Sequence, residues 1–115
     1  MEKTLSLPQL VEIQNALAWV LATTPDQPLR NGAKAVEYAE RANQLCEEKN
    51  PMVLDTLGAA YAEIGKYKEA VQTMQKAVEL AKRQGRENFF QQLQERLKLY
   101  QAGRPFYEKP SGLTP

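Results

Sequence analysis

The sequence predicts an all-α fold built from antiparallel helical hairpins. In residues 50–80, apolar and small residues recur at steps of three and four, first up to Ile64 and again from Tyr67. This spacing places them on one face of a helix. Gly65 interrupts the pattern, and glycine ends helices because it takes the left-handed conformation without penalty. Two short helices that are joined by so tight a turn must lie antiparallel.

The hairpin pattern occurs a second time, earlier in the chain. A helix over residues 7–23, with Ser6 as its N-cap and Gln9 completing a capping box, superposes on the first helix of the central hairpin at a shift of 40 residues. A helix over about 33–48 superposes on the second helix at a shift of 35. The first unit therefore carries an insertion within residues 24–32, where two prolines and a glycine preclude a helix. It is either a tolerated surface insertion, which costs little stability, or a binding loop.

A fifth helix is predicted over residues 87–101, with no partner helix after it. Gln94 occupies the position that the small Gly58 occupies in the central hairpin. A helix packed on that side of the fifth helix therefore cannot approach its backbone as closely. A more polar last helix is expected to cap an array of repeats.

These elements define the predicted organisation of the chain. The helical domain is expected to span residues 6–103, after a disordered start and before an extended tail in which Phe106 and Tyr107 are candidates to fold back on the last helices. Its parts are the first repeat (about 7–48), the second repeat (about 50–84), the capping helix (about 87–101), the start (1–5) and the tail (104–115).

Composition indicates one soluble domain. The chain has 115 residues, of which 43% are hydrophobic and 25% charged, as is ordinary for a globular domain. It has no apolar run long enough for a membrane span and no secretory signal at its start, which favours the cytoplasm. A single cysteine, Cys46, forbids an internal disulfide.

The charge is unevenly distributed. Residues 1–65 carry five basic and nine acidic residues, a balance of −4, and residues 66–115 carry ten basic and five acidic residues, a balance of +5. One interpretation of this distribution is a solvated surface of mixed charge. The alternative is end-to-end attraction between the acidic and basic halves of different copies.

The central hairpin resembles a tetratricopeptide repeat, a two-helix unit of about 34 residues. The residues that carry the resemblance are Leu54, Leu57, Gly58, Tyr61, Gly65, Tyr67, Ala70, Met74 and Ala77. Three positions depart from the family pattern: Leu54 replaces a typical tryptophan, Met74 a typical aromatic residue and Lys82 a frequent proline. An ordinary helical hairpin is disfavoured because the Leu-Gly-x-x-Tyr and Ala…Ala spacings occur together.

The resemblance implies a concave groove, lined by the first helix of each repeat, that receives an extended peptide or a partner helix. When the groove positions of the family are assigned residue by residue to this chain, they fall on Glu12, Asn15, Trp19, Met52, Asp55, Thr56, Ala59, Glu63, Gln91, Glu95 and Lys98. Trp19 departs from the Leu17/Ala18/Leu21 packing face. It is either a partly exposed aromatic anchor for a partner or packed under the loop 24–32.

Family members that clamp the C-terminal carboxylate of chaperone tails use lysine, asparagine and arginine side chains in the groove. The corresponding places in this chain hold Asn15, Trp19, Thr56, Asn88 and Phe90. No cationic cluster faces the groove, so that ligand class is disfavoured. A partner of positive or neutral polar character fits the acidic groove positions better.

Residues for catalysis are lacking. The chain has no histidine, which removes the usual general base and the commonest metal ligand. Cys46 has no second cysteine for a thiolate metal site or a redox pair, and no phosphate-binding glycine loop is present. We therefore expect no enzyme, no cofactor and no metal site, and the near-neutral charge disfavours nucleic acid.

The function that the sequence predicts is non-catalytic protein–protein interaction through the concave face. The alternative is a structural module that self-associates as a weak homodimer, with its acidic and basic halves stacked between copies. High salt should weaken such an association and should affect a groove-bound hydrophobic peptide much less.

Overall fold

The computed structural model describes residues 4–109. Within this range the chain is all-α, as predicted, with no strand. Residues 1–3 of the predicted disordered start and 110–115 of the predicted tail lie outside the described residues. The five helices are α1 (Leu7–Thr23), α2 (Gly32–Leu45), α3 (Pro51–Glu63), α4 (Tyr67–Arg83) and α5 (Glu87–Gln101), with a short 3-10 turn at Gln27–Leu29.

The helices pack in the manner of a repeat array. Each helix packs on the next one along the chain, and α1 also packs on α3. The largest buried cluster joins α3, α4 and α5 around Leu54, Met74, Leu93 and Tyr100. The contacts among α1, α2 and α3 are made mainly by alanines, such as Ala22, Ala35, Ala59 and Ala60. Their small side chains let these three helices approach closely.

The predicted start of α1 is confirmed by its cap, and α3 is capped by a side chain in a similar way. The Ser6 hydroxyl accepts a hydrogen bond from the Gln9 amide at 3.3 Å, and the Gln9 side chain accepts one from the Ser6 amide at 2.9 Å. The Asn50 side chain accepts a hydrogen bond from the Met52 amide at 2.9 Å. Gly65 has a φ of +79° and ends the first helix of the central hairpin.

The end of α2 differs from the prediction. The helix begins at Gly32 and ends at Leu45, whereas the pattern predicted a helix up to residue 48. Glu47 and Glu48 take positive φ values of 57° and 58°. These are left-handed conformations that glycine or asparagine usually supplies, so the amino-acid types gave no sign of a helix end here.

The packing face of α1 also differs from the prediction. We expected Leu17 to pack inward with Ala18 and Leu21, but Leu17 is exposed. The residues of α1 that are fully buried are Ala18, Ala22 and Thr23. Because α1 lies against two helices, close approach requires small side chains on the inner face, and the larger side chains of Ile13, Leu17 and Val20 are exposed.

Gly58 is predicted to be required for the contact between α3 and α4. A Cβ at this position would lie 2.6 Å from Sδ of Met74, a fully buried side chain. Gly58→Leu should therefore lower the free energy of unfolding by about 1–3 kcal/mol through overpacking, as measured by urea denaturation. Adding Met74→Ala should recover part of the loss. Equal stability of Gly58→Leu and the wild type would contradict the observed packing.

Candidate functional site

Two adjoining cavities follow one side of the helical array. The cavity between α1, α3 and α5 has a volume of about 280 Å³, and its lining includes Trp19, Asp55 and Arg96. The second, of about 450 Å³, extends it toward the starts of α1 and α3 and includes Glu12 in its lining. Asn15 and Met52 line both. We call the two cavities together the groove.

The C-terminal tail lies at one end of the groove. Residues 104–109 follow Gly103 without helical structure. The Phe106 ring packs against the Trp19 ring with 5.8 Å between centroids. Two hydrogen bonds fix the backbone and side chain of Glu108: its amide donates to the Thr23 carbonyl oxygen at 2.7 Å, and its Oε1 accepts from Trp19 Nε1 at 3.0 Å. The tail is therefore held by both apolar and polar contacts.

Arg96 connects the tail to the helices. Its guanidinium carbon lies 5.0 Å from the centroid of the Trp19 ring and 4.6 Å from that of Phe106, within the range of cation–π attraction. The same guanidinium forms an ion pair with Asp55 of α3. The side chains of the pair are only 15% and 6% exposed. One cation thus joins α1, α3, α5 and the tail.

A second contact to the tail comes from the segment between α1 and α2. The guanidinium carbon of Arg30 lies 4.0 Å from the centroid of the Tyr107 ring, and Arg30 Nε lies 3.6 Å from Glu63 Oε1. Burial and the neighbouring Glu63 carboxylate raise the pKa of Tyr107. The segment 24–32, in which the insertion of the first repeat is predicted, therefore includes a residue that contacts the tail.

Asp55 is a carboxyl group of the groove whose pKa is raised. Burial raises its pKa to about 7, although the charge and hydrogen bond of Arg96 lower it. One carboxyl oxygen faces Arg96, and the other is buried without a hydrogen-bond partner among the described residues. Because burial disfavours the charged form, the carboxyl group keeps its proton to higher pH than a free aspartate does, and the ion pair with Arg96 forms as the pH approaches about 7.

The predicted groove residues fall into three groups. Six of them line the groove: Glu12, Asn15, Trp19, Met52, Asp55 and Thr56. Two lie beside it: Ala59 is buried in the contact between α1, α2 and α3, and Glu63 interacts with Arg30 and Tyr107. Gln91, Glu95 and Lys98 are exposed on α5 but do not line either cavity, whose α5 residues are Phe89, Gln92 and Arg96.

Trp19 is partly exposed, and its role as an anchor for a partner stays a prediction. It is half-buried, and what covers it is the tail and Arg96 rather than the loop 24–32. Sequence reasoning missed Arg96, which lines the groove, and Arg30, which contacts the tail. The signal that could have found Arg96 is its position seven residues after Phe89, which places both side chains on one face of α5.

Among residues 4–109, no group of three or more potential metal ligands is found, and none of the helices is long and apolar enough to cross a membrane. Comparison with known proteins gives no family model, no curated relative and no solved structure that matches this chain.

Loss of the Phe106 ring should expose Trp19 to water. Because Trp19 is the only tryptophan, Phe106→Ala is expected to shift its fluorescence emission to longer wavelength and to increase quenching by acrylamide. Phe106→Leu, which keeps apolar volume on the ring, should cause a smaller change. If emission and quenching were the same in Phe106→Ala and the wild type, the tail would not cover Trp19.

The raised pKa of Asp55 predicts a specific pH dependence. Between its unfolded value of 3.8 and its folded value of about 7, the native state binds more protons at this site than the unfolded state. Its contribution to the free energy of unfolding is therefore complete below about pH 4 and decreases as the pH rises to about 7.

Asp55→Asn isolates this contribution. The difference in free energy of unfolding, wild type minus variant, should fall between pH 4 and pH 7 in denaturation experiments at constant ionic strength. A difference that is constant or that rises with pH would show that Asp55 is not protonated in the native state in this range.

Proposed function

We propose that this chain is a tetratricopeptide-type module that binds an extended peptide segment of a partner protein in the groove, without catalysis. Two features support the assignment to this class. The helices pack each on the next, with the first helices of the two predicted repeats in contact. Gly58 also lies directly against Met74, at the close helix contact that the family pattern implies.

The observation that carries the proposal is the position of residues 104–109. An extended peptide segment already lies at the groove end, and its contacts are those by which a peptide ligand is held: a packed aromatic ring, a backbone hydrogen bond and a charge-assisted side-chain contact. Recognition of an extended segment by pockets for individual side chains, together with main-chain hydrogen bonds, is a recurrent mode of peptide binding.

The tail contacts specify the chemistry of the expected ligand. Trp19 and Arg96 present an aromatic face and a cation to one ring, and Trp19 Nε1 donates to a carboxylate. A segment in which an acidic residue follows shortly after an aromatic residue can make both the ring contact and the hydrogen bond. The acidic groups Asp55 and Glu63 do not select a cationic ligand in this geometry, because Arg96 and Arg30 already neutralise them.

The tail is then a competitor for the same site. A partner segment must displace residues 104–109 at the Trp19 end, while the cavities toward Asn15 and Met52 stay open to it. When only a fraction of the protein has an open site, the apparent affinity is reduced by that fraction. We therefore expect the intact chain to bind more weakly than a chain with an undocked tail.

A peptide with the sequence of residues 104–109, blocked at both ends, tests the proposal. The full chain with Phe106→Ala and Tyr107→Ala should bind this peptide with an affinity at least about tenfold higher than the wild type does. Binding is measured by the fluorescence of Trp19, since the peptide contains no tryptophan. The control peptide has alanine in place of phenylalanine and should not bind.

A Trp19→Ala variant in the open background provides the matched protein control, with binding measured by calorimetry. It should stay helical by circular dichroism and lose affinity for the peptide. If the open variant fails to bind the peptide at millimolar concentration, the tail is a structural cap of the array and the groove is not a peptide site of this chemistry.

A further inference from the structure

The outer face of α1 is an apolar stripe with no partner among residues 4–109. Ile13, Leu17 and Val20 are 51%, 41% and 51% exposed. Leu10, half-buried, continues the stripe toward the start of the helix. Single exposed aliphatic side chains are ordinary on protein surfaces, whereas a contiguous row of them marks an interaction surface. This face lies outside the groove, because none of the four lines either cavity.

The spacing of the stripe indicates what kind of surface it fits. Residues 10, 13, 17 and 20 follow one another at steps of three, four and three. This is the a/d pattern of a coiled-coil seam, in which side chains of one helix pack between those of a facing helix. The stripe is therefore suited to a helix rather than to a strand or a loop.

The charges of α1 indicate what kind of helix can pack on this stripe. The only charged residue of α1 is Glu12, and it lines the groove. The residues that flank the stripe are the uncharged Gln9, Gln14 and Ala16. A second copy of the stripe can therefore approach without burying a charge, while a strongly charged partner helix finds no opposite charge here.

We propose that α1 pairs with α1 of a second copy of this chain, antiparallel about a two-fold axis. In such an isologous interface each contact occurs twice. The stripe then places Ile13 opposite Leu17 of the other copy and Leu10 opposite Val20, so that every seam position meets an aliphatic side chain. Ala16, which is small, lies beside the seam near the axis and allows close approach.

The size of the face sets the strength of this dimer. A helix of 17 residues is about 25 Å long, and one such helix contributes less than the roughly 800 Å² per partner of a standard interface. The dimer should therefore be weak and depend on concentration. It should also be insensitive to salt, unlike association through the acidic and basic halves of the chain, because no charged pair is in the seam.

Sedimentation equilibrium of the full chain over a concentration series, at low and high salt, tests the proposal. The wild type should dimerise at both salt concentrations. Ile13→Lys and Leu17→Glu should each raise the dissociation constant at least about tenfold, because they bury a charge opposite an aliphatic side chain. Leu29→Glu, at an exposed leucine outside α1, is the matched control and should dimerise like the wild type.

Mixing the two variants tests the pairing itself. In the antiparallel arrangement, the lysine of one variant faces the glutamate of the other, and the mixture should form a heterodimer that high salt weakens. Circular dichroism checks that both variants stay folded, as expected at half-exposed positions. A monomeric wild type, a dimer that both substitutions leave unchanged, or a mixture that stays monomeric would overturn the proposal.

Discussion

The arrangement of the groove depends on one buried cation. Arg96 of α5 is paired with Asp55 of α3 and lies beside the rings of Trp19 and Phe106. These contacts connect three helices and the tail. Leaving one partner of a buried ion pair without its counter-charge costs about 3–5 kcal/mol. Arg96 and Asp55 are therefore needed together, and the two aromatic rings exclude water from the pair.

The same arrangement explains why the tail docks where it does. The rings of Trp19 and Phe106 cover the guanidinium, and Glu108 satisfies the indole N–H and the last carbonyl of α1. A buried polar group that lacks a partner costs free energy, so the Thr23 carbonyl and the indole favour an occupant with a donor and a carboxylate. The tail supplies both. A partner that replaces the tail must do the same.

Much of the fold could be predicted from local sequence, because its causes are local. The steps of three and four residues, the cap at Ser6 and the glycine at 65 each act within one helical turn. The candidate site could be predicted only in part. Six groove positions follow from the repeat register, but the ion pair joins residues 41 positions apart and the indole hydrogen bond joins residues 89 apart. Such contacts depend on how the helices are placed in space, and periodicity carries no information about that.

The outward face of α1 shows a second limit of prediction from the sequence. Periodicity identifies an apolar stripe, but a helix rich in alanine has two faces that can be buried. Which of them packs inward depends on the close approach of α2 and α3, so Ala18 and Ala22 are buried and Leu17 is not. The aliphatic face that remains is the source of the proposed self-association.

The most direct test of the docked tail is amide hydrogen exchange at Glu108, followed by NMR. This amide donates to the Thr23 carbonyl at 2.7 Å, whereas an undocked tail has no hydrogen bond for it. We expect clear protection of the Glu108 amide in the wild type, and its loss in Phe106→Ala while the amides of α3 stay protected. Exchange of Glu108 at the rate of an unstructured peptide in the wild type would contradict the account.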